Sequence, residues 1–145
     1  MTANPEQLSL LLVEDSPADV FLVKEAMREE GLSFNLSVAS DGESAMRILD
    51  LVDAGPENAA PNLLLLDVNV PRRTGIEVLE RLRRSPRCGK IPVVIISSSD
   101  SPADRRLAHD MGATEYFRKP SNLADFMKLG QLVRRLHEEA QGSAA

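Results

Sequence analysis

The sequence has few of the residues that build disulfides, zinc sites and histidine-based catalytic centres. It contains one cysteine and two histidines in 145 residues. Cys88 therefore has no disulfide partner within the chain, and no cysteine or histidine lies near it at zinc-ligand spacing. His109 and His137 are far apart and lie in segments with helical patterning. We therefore predict a reduced Cys88 without a chemical role, and no catalytic role for either histidine.

Long apolar runs and a general excess of positive charge are also absent. No apolar run approaches the roughly 20 residues of a membrane span. The first residues, MTANPEQ, lack the basic and apolar regions of a signal peptide. A formal net charge of −5 disfavours non-specific binding to the phosphates of nucleic acids. We therefore expect a cytoplasmic protein that binds neither membranes nor nucleic acids.

One segment departs from this average charge, because residues 71–90 carry seven Arg and Lys but only two Glu. Such a stretch is typical of a solvated helix face. Arg72 and Arg73 lie in the loop after Asp67 and are candidates for steering an acidic or phosphorylated partner.

What the chain does contain is enough apolar sequence for one hydrophobic core. Its 145 residues are 43% hydrophobic, which fits one domain. We expect this domain to cover residues 8–140. Residues 1–7 and 141–145 are small and polar, and we expect them to form flexible tails.

A helix-start pattern recurs five times along this domain: a capping residue is followed three positions later by an acid. Two of the five read SPAD, with proline at the first helical position. Glycines at positions 31, 55 and 112 are placed to end helices in a left-handed conformation. The five pairs are Ser16 with Asp19, Ser40 with Glu43, Thr74 with Glu77, Ser101 with Asp104, and Asn122 with Asp125.

A short apolar or β-branched run precedes each helix start. The runs LLLL and VVII are apolar throughout, as expected for parallel strands that are covered on both faces. Five strands alternating with five helices predict an α/β fold. The predicted strands cover residues 8–13, 34–39, 63–66, 91–96 and 114–117.

Polar side chains follow these strands where they end, and Asp67 directly after LLLL is the least expected of them. An unpaired buried charge costs several kcal/mol. The carboxyl ends of parallel strands lie at one edge of the sheet, so three carboxylates meet if the first and third strands are neighbours. The residues at this edge are Glu14 and Asp15 after the first strand, Asp67 after the third, Ser97 at the fourth, and Tyr116 and Lys119 in and after the fifth.

Three carboxylates so close together repel one another unless a cation neutralises them. Ligands that are all oxygen favour magnesium, manganese or calcium, and a small open site favours magnesium. Lys119 adds an ammonium and Ser97 adds a hydroxyl around Asp67. This combination is suited to accepting a phosphoryl group, because phosphoryl transfer depends mainly on positioning and charge neutralisation.

The segments LLVEDS, LLLLDVNVP, IPVVIISSS and YFRKP, in this order and spacing, resemble the receiver domains of two-component response regulators. The resemblance covers residues 8–136. It implies a flavodoxin-like, doubly wound (βα)5 fold with a five-stranded parallel sheet in the order 2-1-3-4-5. It also implies that Asp67 accepts a phosphoryl group from a phosphohistidine on a sensor kinase. The other roles that it implies are Mg²⁺ binding by Asp15, Asp67 and the backbone carbonyl of Asn69, with Glu14 acting through water; phosphoryl contacts from Lys119 and Ser97; and a switch formed by Ser97 and Tyr116.

Several details resemble the stand-alone regulators that are paired with phytochrome kinases. These are the extended loop of residues 53–61, the segment VPRRTGIEVL and the SNL that follows Lys-Pro. Fewer than ten residues follow Leu136, so we expect no effector domain and an output through a partner. The candidates for that partner are a second copy of the chain, the kinase itself and a downstream protein that competes for phosphate. A second copy is expected to bind through helix 4, strand 5 and helix 5. Serine at position 97, where many receivers have threonine, and serine after Lys-Pro are departures from the family pattern.

Two other functions are compatible with the fold. An aspartate-nucleophile phosphatase of the haloacid dehalogenase-like class needs a second aspartate two residues after the nucleophile, but this chain has Asn69, whose amide cannot act as a general acid. A flavodoxin-like cofactor binder needs donors after the first strand, where VEDSP places two carboxylates. The sequence therefore favours a phosphoacceptor signalling domain over an enzyme.

Overall fold

A five-stranded parallel sheet forms the centre of the protein, whose computed structural model describes residues 7–56, 59–68 and 75–143. The strands lie in the order β2-β1-β3-β4-β5, and each neighbouring pair is parallel. The predicted α/β fold of flavodoxin-like topology is therefore confirmed. The strands are β1 Leu8–Val13, β2 Phe34–Ala39, β3 Leu63–Asp67, β4 Val93–Ser97 and β5 Glu115–Arg118.

Helices cover both faces of this sheet. Those numbered α2, α3 and α4 pack on one face, and α1, α5 and α6 pack on the other. Within the described ranges, no helix combines the length and apolar character that a membrane crossing requires. The helices are α1 Pro17–Glu29, α2 Gly42–Ala54, α3 Gly75–Arg83, α4 Pro102–Asp110, α5 Leu123–Phe126 and α6 Lys128–Ser143.

The central strands are buried on both sides, as their uniformly apolar sequences predict. Every residue of β3 and β4 is buried. Leu64 and Leu66 point into the core under α2, α3 and α4, whereas Leu63 and Leu65 point into the core under α1, α5 and α6. Cys88 is a free, buried thiol in the first of these two cores.

Most of the predicted helix starts are confirmed, and one is wrong. The backbone N–H groups of Asp19, Asp104 and Asp125 donate to the side chains of Ser16, Ser101 and Asn122. Helix α2 is capped by Asp41 instead of Ser40, since the Asp41 carboxylate accepts from the Ser44 N–H at 2.7 Å. The helix begins one residue later than the pattern suggests because Gly42 is its first residue. The predicted cap at Thr74 lies outside the described residues.

The helix ends also differ in part from the prediction. Gly31 and Gly112 adopt the expected left-handed conformation, with φ of 74° and 92°. Gly55 does not, because its φ of −97° lies in the extended region that any residue adopts. The last predicted helix is divided at Met127 into α5 and α6, and the Gly130 N–H bonds the Met127 carbonyl in a tight turn at the junction. Helix α6 reaches Ser143, beyond the expected domain boundary at residue 140.

Candidate functional site

The acids that follow β1 and β3 meet at the carboxyl edge of the sheet. Val13 is paired with Leu66, so Glu14 and Asp67 are the next residues along two adjacent strands. One carboxylate oxygen from each of Glu14, Asp15 and Asp67 lies within 4.8 Å of the others. Strand order therefore brings together the three carboxylates that the sequence placed at this edge.

The Lys119 ammonium lies among carboxylates of this site. Its Nζ donates to Glu14 Oε1 at 2.7 Å, Asp19 Oδ2 at 2.7 Å and Asp67 Oδ2 at 3.0 Å. The backbone N–H of Lys119 donates to the Ser97 carbonyl at 2.7 Å, which fixes the start of the β5–α5 loop against the end of β4. The Lys119 side chain is only 16% exposed, so these ion pairs are shielded from solvent.

Burial dominates the electrostatics of this cluster. It raises the pKa of Glu14 to about 7, while the hydrogen bond from Lys119 lowers it and the Asp67 charge raises it again. For Lys119, burial by itself lowers the pKa, but the hydrogen bonds to Asp19, Glu14 and Asp67 outweigh it, so the pKa is raised. Lys119 therefore stays an ammonium, and this one positive charge does not neutralise all the acids that surround it.

The donor set fits a divalent cation. Asp15 is exposed, and its carboxylate accepts no hydrogen bond from residues 7–56, 59–68 or 75–143. Three carboxylates lie in this cluster, and Lys119 supplies one positive charge, to Glu14 and Asp67. Carboxylate oxygens that are open to water on one side are the environment that Mg²⁺ or Mn²⁺ prefers. Asn69, whose carbonyl is the remaining predicted ligand, lies outside the described residues.

Ser97 ends the strand adjacent to Asp67. Its neighbour Ile96 is paired with Asp67, so Ser97 lies one residue further along β4. The side chain is buried, and its Oγ accepts a hydrogen bond from the Ser99 N–H at 3.1 Å. Ser98, in contrast, is exposed. The structure therefore places the Ser97 hydroxyl on the strand next to that of the Asp67 carboxylate.

Tyr116, the predicted switch residue, is half-buried on β5 and connected to the loop after β4. Its hydroxyl donates to the Ser99 carbonyl at 2.9 Å, and the Arg105 guanidinium lies 4.7 Å from the ring centroid. Ser99 thus contacts both Ser97 and Tyr116 through its backbone. No sequence pattern indicates these contacts of Ser99, because they depend on the path of the β4–α4 loop.

Asp19 is a site residue that the sequence analysis assigned only to the start of α1. Its carboxylate bonds Lys119, which lies 100 positions further along the chain. The position of Asp19 could have indicated this contact. Helix α1 begins two residues after Asp15, so its first turn lies at the same edge of the sheet as the acids that follow β1.

Two arginines of the basic stretch, residues 71–90, bind other parts of the fold. Arg81 bonds Asp50 at 2.9 Å and Asp53 at 2.7 Å. Arg83 donates to backbone carbonyls, including that of Ile91 at 2.7 Å. These two arginines are therefore committed to contacts within the chain. Arg72 and Arg73, the candidates for steering a partner, lie outside the described residues.

Comparison with known proteins agrees with this geometry. Residues 10–130 match the response regulator receiver domain family. Response regulator Rcp1 from Synechocystis sp. is 35% identical over 129 residues, which cover 89% of this chain and 87% of Rcp1. The crystal structure of the Mn²⁺-bound form of Rcp1 superposes with a TM-score of 0.75 at 34% identity, and the match covers 88% of this chain and 91% of the other. The crystal structure of the phosphorylated cyanobacterial phytochrome response regulator RcpA gives a TM-score of 0.78 at 29% identity, with 92% and 96% covered. The chain therefore belongs to the family of response regulator receiver domains.

Proposed function

We propose that this protein is a single-domain response regulator that accepts a phosphoryl group on Asp67 from a sensor histidine kinase. One observation carries the proposal: the Asp67 carboxylate ends a fully buried strand, lies 3.0 Å from the Lys119 ammonium and shares a cluster with Glu14 and Asp15. A carboxylate in such surroundings is held in one orientation beside a fixed positive charge. These are the requirements of a nucleophile for phosphoryl transfer.

In the proposed reaction, an Asp67 oxygen attacks the phosphorus of a phosphohistidine. A P–O bond forms, the P–N bond breaks, and its electron pair returns to the imidazole of the kinase. Lys119 and Ser97 donate hydrogen bonds to the phosphoryl oxygens and offset their negative charge. The product is an acyl phosphate on Asp67, and the domain acts as a signal acceptor without turning over a substrate.

Asp15, Asp67 and the backbone carbonyl of Asn69 would hold Mg²⁺, with Glu14 acting through water. When bound, Mg²⁺ supplies positive charge to the phosphoryl oxygens. The Mn²⁺-bound form of the similar regulator Rcp1 supports a divalent ion at this site. The choice of Mg²⁺ rests on the small number of protein oxygens and on the open, water-accessible side at Asp15.

The proposed switch runs from Ser97 to Tyr116 through the β4–α4 loop. The Ser97 Oγ accepts from the Ser99 N–H, and the Ser99 carbonyl accepts from the Tyr116 hydroxyl. A new phosphoryl group draws the Ser97 hydroxyl toward Asp67, and the loop that holds the Tyr116 hydroxyl is released. A local charge thereby biases the arrangement of the surface formed by α4, β5 and α5.

The proposed partners follow from the relatives and from that surface. A phytochrome-type kinase is proposed because the similar structure of RcpA is that of a phytochrome response regulator. We also propose a homodimer through the surface of α4, β5 and α5, a cytoplasmic location, and no binding of nucleic acids or membranes.

The test is labelling with acetyl phosphate and with a phosphorylated histidine kinase, in the presence of Mg²⁺. We expect one alkali-labile, hydroxylamine-sensitive phosphoryl group per chain, which is the behaviour of an acyl phosphate. Asp67→Asn should abolish the label, because the amide is not a nucleophile, and a chelator should prevent labelling of the wild type. Asp110→Asn is the matched control, since Asp110 is an exposed aspartate at the far end of α4.

Label that persists in Asp67→Asn, or that is stable to hydroxylamine, contradicts the proposal. Steady hydrolysis of p-nitrophenyl phosphate by the wild type, lost in Asp67→Asn, would instead identify a phosphatase.

A further inference from the structure

Asp19 occupies the position of a capping-box acid, but its side chain does not complete the box. In a capping box the acid three residues after the cap bonds the backbone N–H of the capping residue. Here the Ser16 N–H donates to Glu14 Oε2 at 3.2 Å instead. The Asp19 carboxylate turns to the Lys119 ammonium at 2.7 Å. Its carboxylate therefore serves the site, while its backbone N–H bonds the Ser16 side chain.

The Lys119 ammonium has three protons, and three carboxylates accept from it. Glu14, Asp19 and Asp67 each contribute one oxygen within 3.0 Å of Nζ. Asp19 lies in the first turn of α1, and its backbone N–H donates a hydrogen bond to the Ser16 side chain. Two of the three bonds, to Glu14 and Asp19, can therefore persist while the third acceptor changes.

We propose that Asp19 is a positioning residue that anchors the Lys119 ammonium over Asp67, so that the third N–H passes from the Asp67 carboxylate to the phosphoryl oxygen during transfer. This inference rests on the proposed function of Asp67. The physical advantage is preorganisation: an ammonium that is already oriented requires no rearrangement when charge develops on the phosphoryl group. Asp19 touches neither the donor nor the phosphoryl group, and it acts only through Lys119.

The chain supplies a matched control, because the sequence SPAD occurs twice. Asp104 has the same local sequence and the same backbone bond to a capping serine as Asp19, at 3.3 Å compared with 3.2 Å. Asp104 lies on α4, and its carboxylate accepts a hydrogen bond from the Ser99 hydroxyl. Asp19→Asn and Asp104→Asn therefore remove the same charge from the same helical position, but only the first removes it from Lys119.

The experiment measures the rate of Asp67 labelling against acetyl phosphate concentration, at saturating Mg²⁺. We expect Asp19→Asn to lower the maximal labelling rate about tenfold, in the range typical of groups that orient a reacting residue. The half-saturating acetyl phosphate concentration should change less than twofold. Asp104→Asn should stay within twofold of the wild type in both parameters, because the Asp104 carboxylate bonds the Ser99 hydroxyl, whereas Ser99 contacts Ser97 and Tyr116 through its backbone. Thermal unfolding of the two variants checks that both are folded.

A double-mutant cycle separates positioning from a general effect on the fold. In a Lys119→Gln background, Asp19→Asn should cause no further loss of labelling rate, because the group through which Asp19 acts is gone. The same tenfold loss in that background would overturn the inference, as would a wild-type rate in Asp19→Asn alone. Both of those results are obtained with a wild-type protein that is labelled on Asp67, whereas a wild-type protein that takes no label overturns the proposed function itself.

Discussion

Glu14 is the residue whose burial and charge conflict most strongly. It is 2% exposed, yet it lies beside a second buried carboxylate, Asp67. The Lys119 ammonium offsets part of this charge, but burial still raises the Glu14 pKa to about 7 from its ordinary value of 4.5. Holding an ionised Glu14 in the metal-free protein therefore lowers the stability of the fold.

This conflict predicts a pH dependence of stability in the presence of a chelator. The pKa of Glu14 is higher in the folded protein than in the unfolded chain. Glu14 therefore makes its full contribution to the stability of the fold below pH 4.5, and this contribution is lost as the pH rises through about 7. Glu14→Gln removes the carboxylate and should be more stable than the wild type at pH 8, by on the order of 1–3 kcal/mol. Its advantage should shrink as the pH falls toward 4.5. Chemical denaturation of both proteins across this range measures the difference.

The control for this prediction is Glu80→Gln, because Glu80 is an exposed glutamate on α3. Its stability difference from the wild type should not vary with pH. Saturating Mg²⁺ should reduce the advantage of Glu14→Gln, since the ion neutralises the same charge. An advantage that is constant from pH 5 to 8 would refute the assigned cause.

The sequence anticipated the acids of this site but not all of their partners. Glu14, Asp15 and Asp67 were recognisable because each follows an apolar strand, and the sheet topology brings strand ends together. Asp19 was not recognisable, because its partner Lys119 is 100 positions away and the local pattern already explained an acid at that place. Long-range side-chain pairing is the information that a local pattern does not carry.

At the scale of elements, the prediction succeeded where one physical effect decided the outcome. β1 and β2 have the predicted limits, and the apolar run of β1 ends abruptly at Glu14. β4 was predicted at residues 91–96 but begins at Val93, after Pro92, and extends to Ser97, where pairing with Arg118 continues the ladder. Polar residues at a strand end belong to the strand when a neighbouring strand bonds them, which composition alone does not show.

The close contact of α1 with α6 requires a small residue at position 130. A Cβ at Gly130 would overlap the Ala26 carbonyl oxygen and come within 2.9 Å of the Glu30 Cβ. Gly130→Ala should therefore destabilise the protein by about 1–3 kcal/mol, although helix propensity alone favours alanine by up to about 1 kcal/mol. Urea denaturation measures this difference.

Gly142→Ala tests the same substitution in the same helix without the contact. Among the residues that the structure describes, no atom lies within 4 Å of a Cβ placed at Gly142. This variant should be as stable as the wild type, or up to about 1 kcal/mol more stable. If Gly130→Ala behaved in the same way as Gly142→Ala, the close approach of α1 and α6 would not limit the size of residue 130.

At the scale of the whole molecule, the proposed dimer surface contains few exposed apolar side chains. Phe117 and Met127 are half-buried against the core. Phe117 packs edge-on against Phe126, with 5.9 Å between the ring centroids. The exposed apolar side chains near this surface are Leu107 on α4, at 48%, and Leu123 on α5, at 60%. Self-association through so small an apolar area should be weak and should depend on the phosphorylation state.

The last prediction uses this surface to test the proposed homodimer. We expect sedimentation at increasing concentration to show a monomer–dimer equilibrium that acetyl phosphate and Mg²⁺ shift toward the dimer. Leu107→Glu should weaken association about tenfold or more, because it replaces an exposed apolar side chain of the proposed dimer surface with a charge. Leu51→Glu is the matched control, since Leu51 is 73% exposed on α2, which packs beside β2 at the opposite edge of the sheet from β5.

Equal weakening by both variants would point to non-specific apolar association, and a wild type that stays monomeric in both states would exclude the dimer. A dimer that responds to Leu107→Glu alone would connect the charge at Asp67 to a surface on the other side of β4.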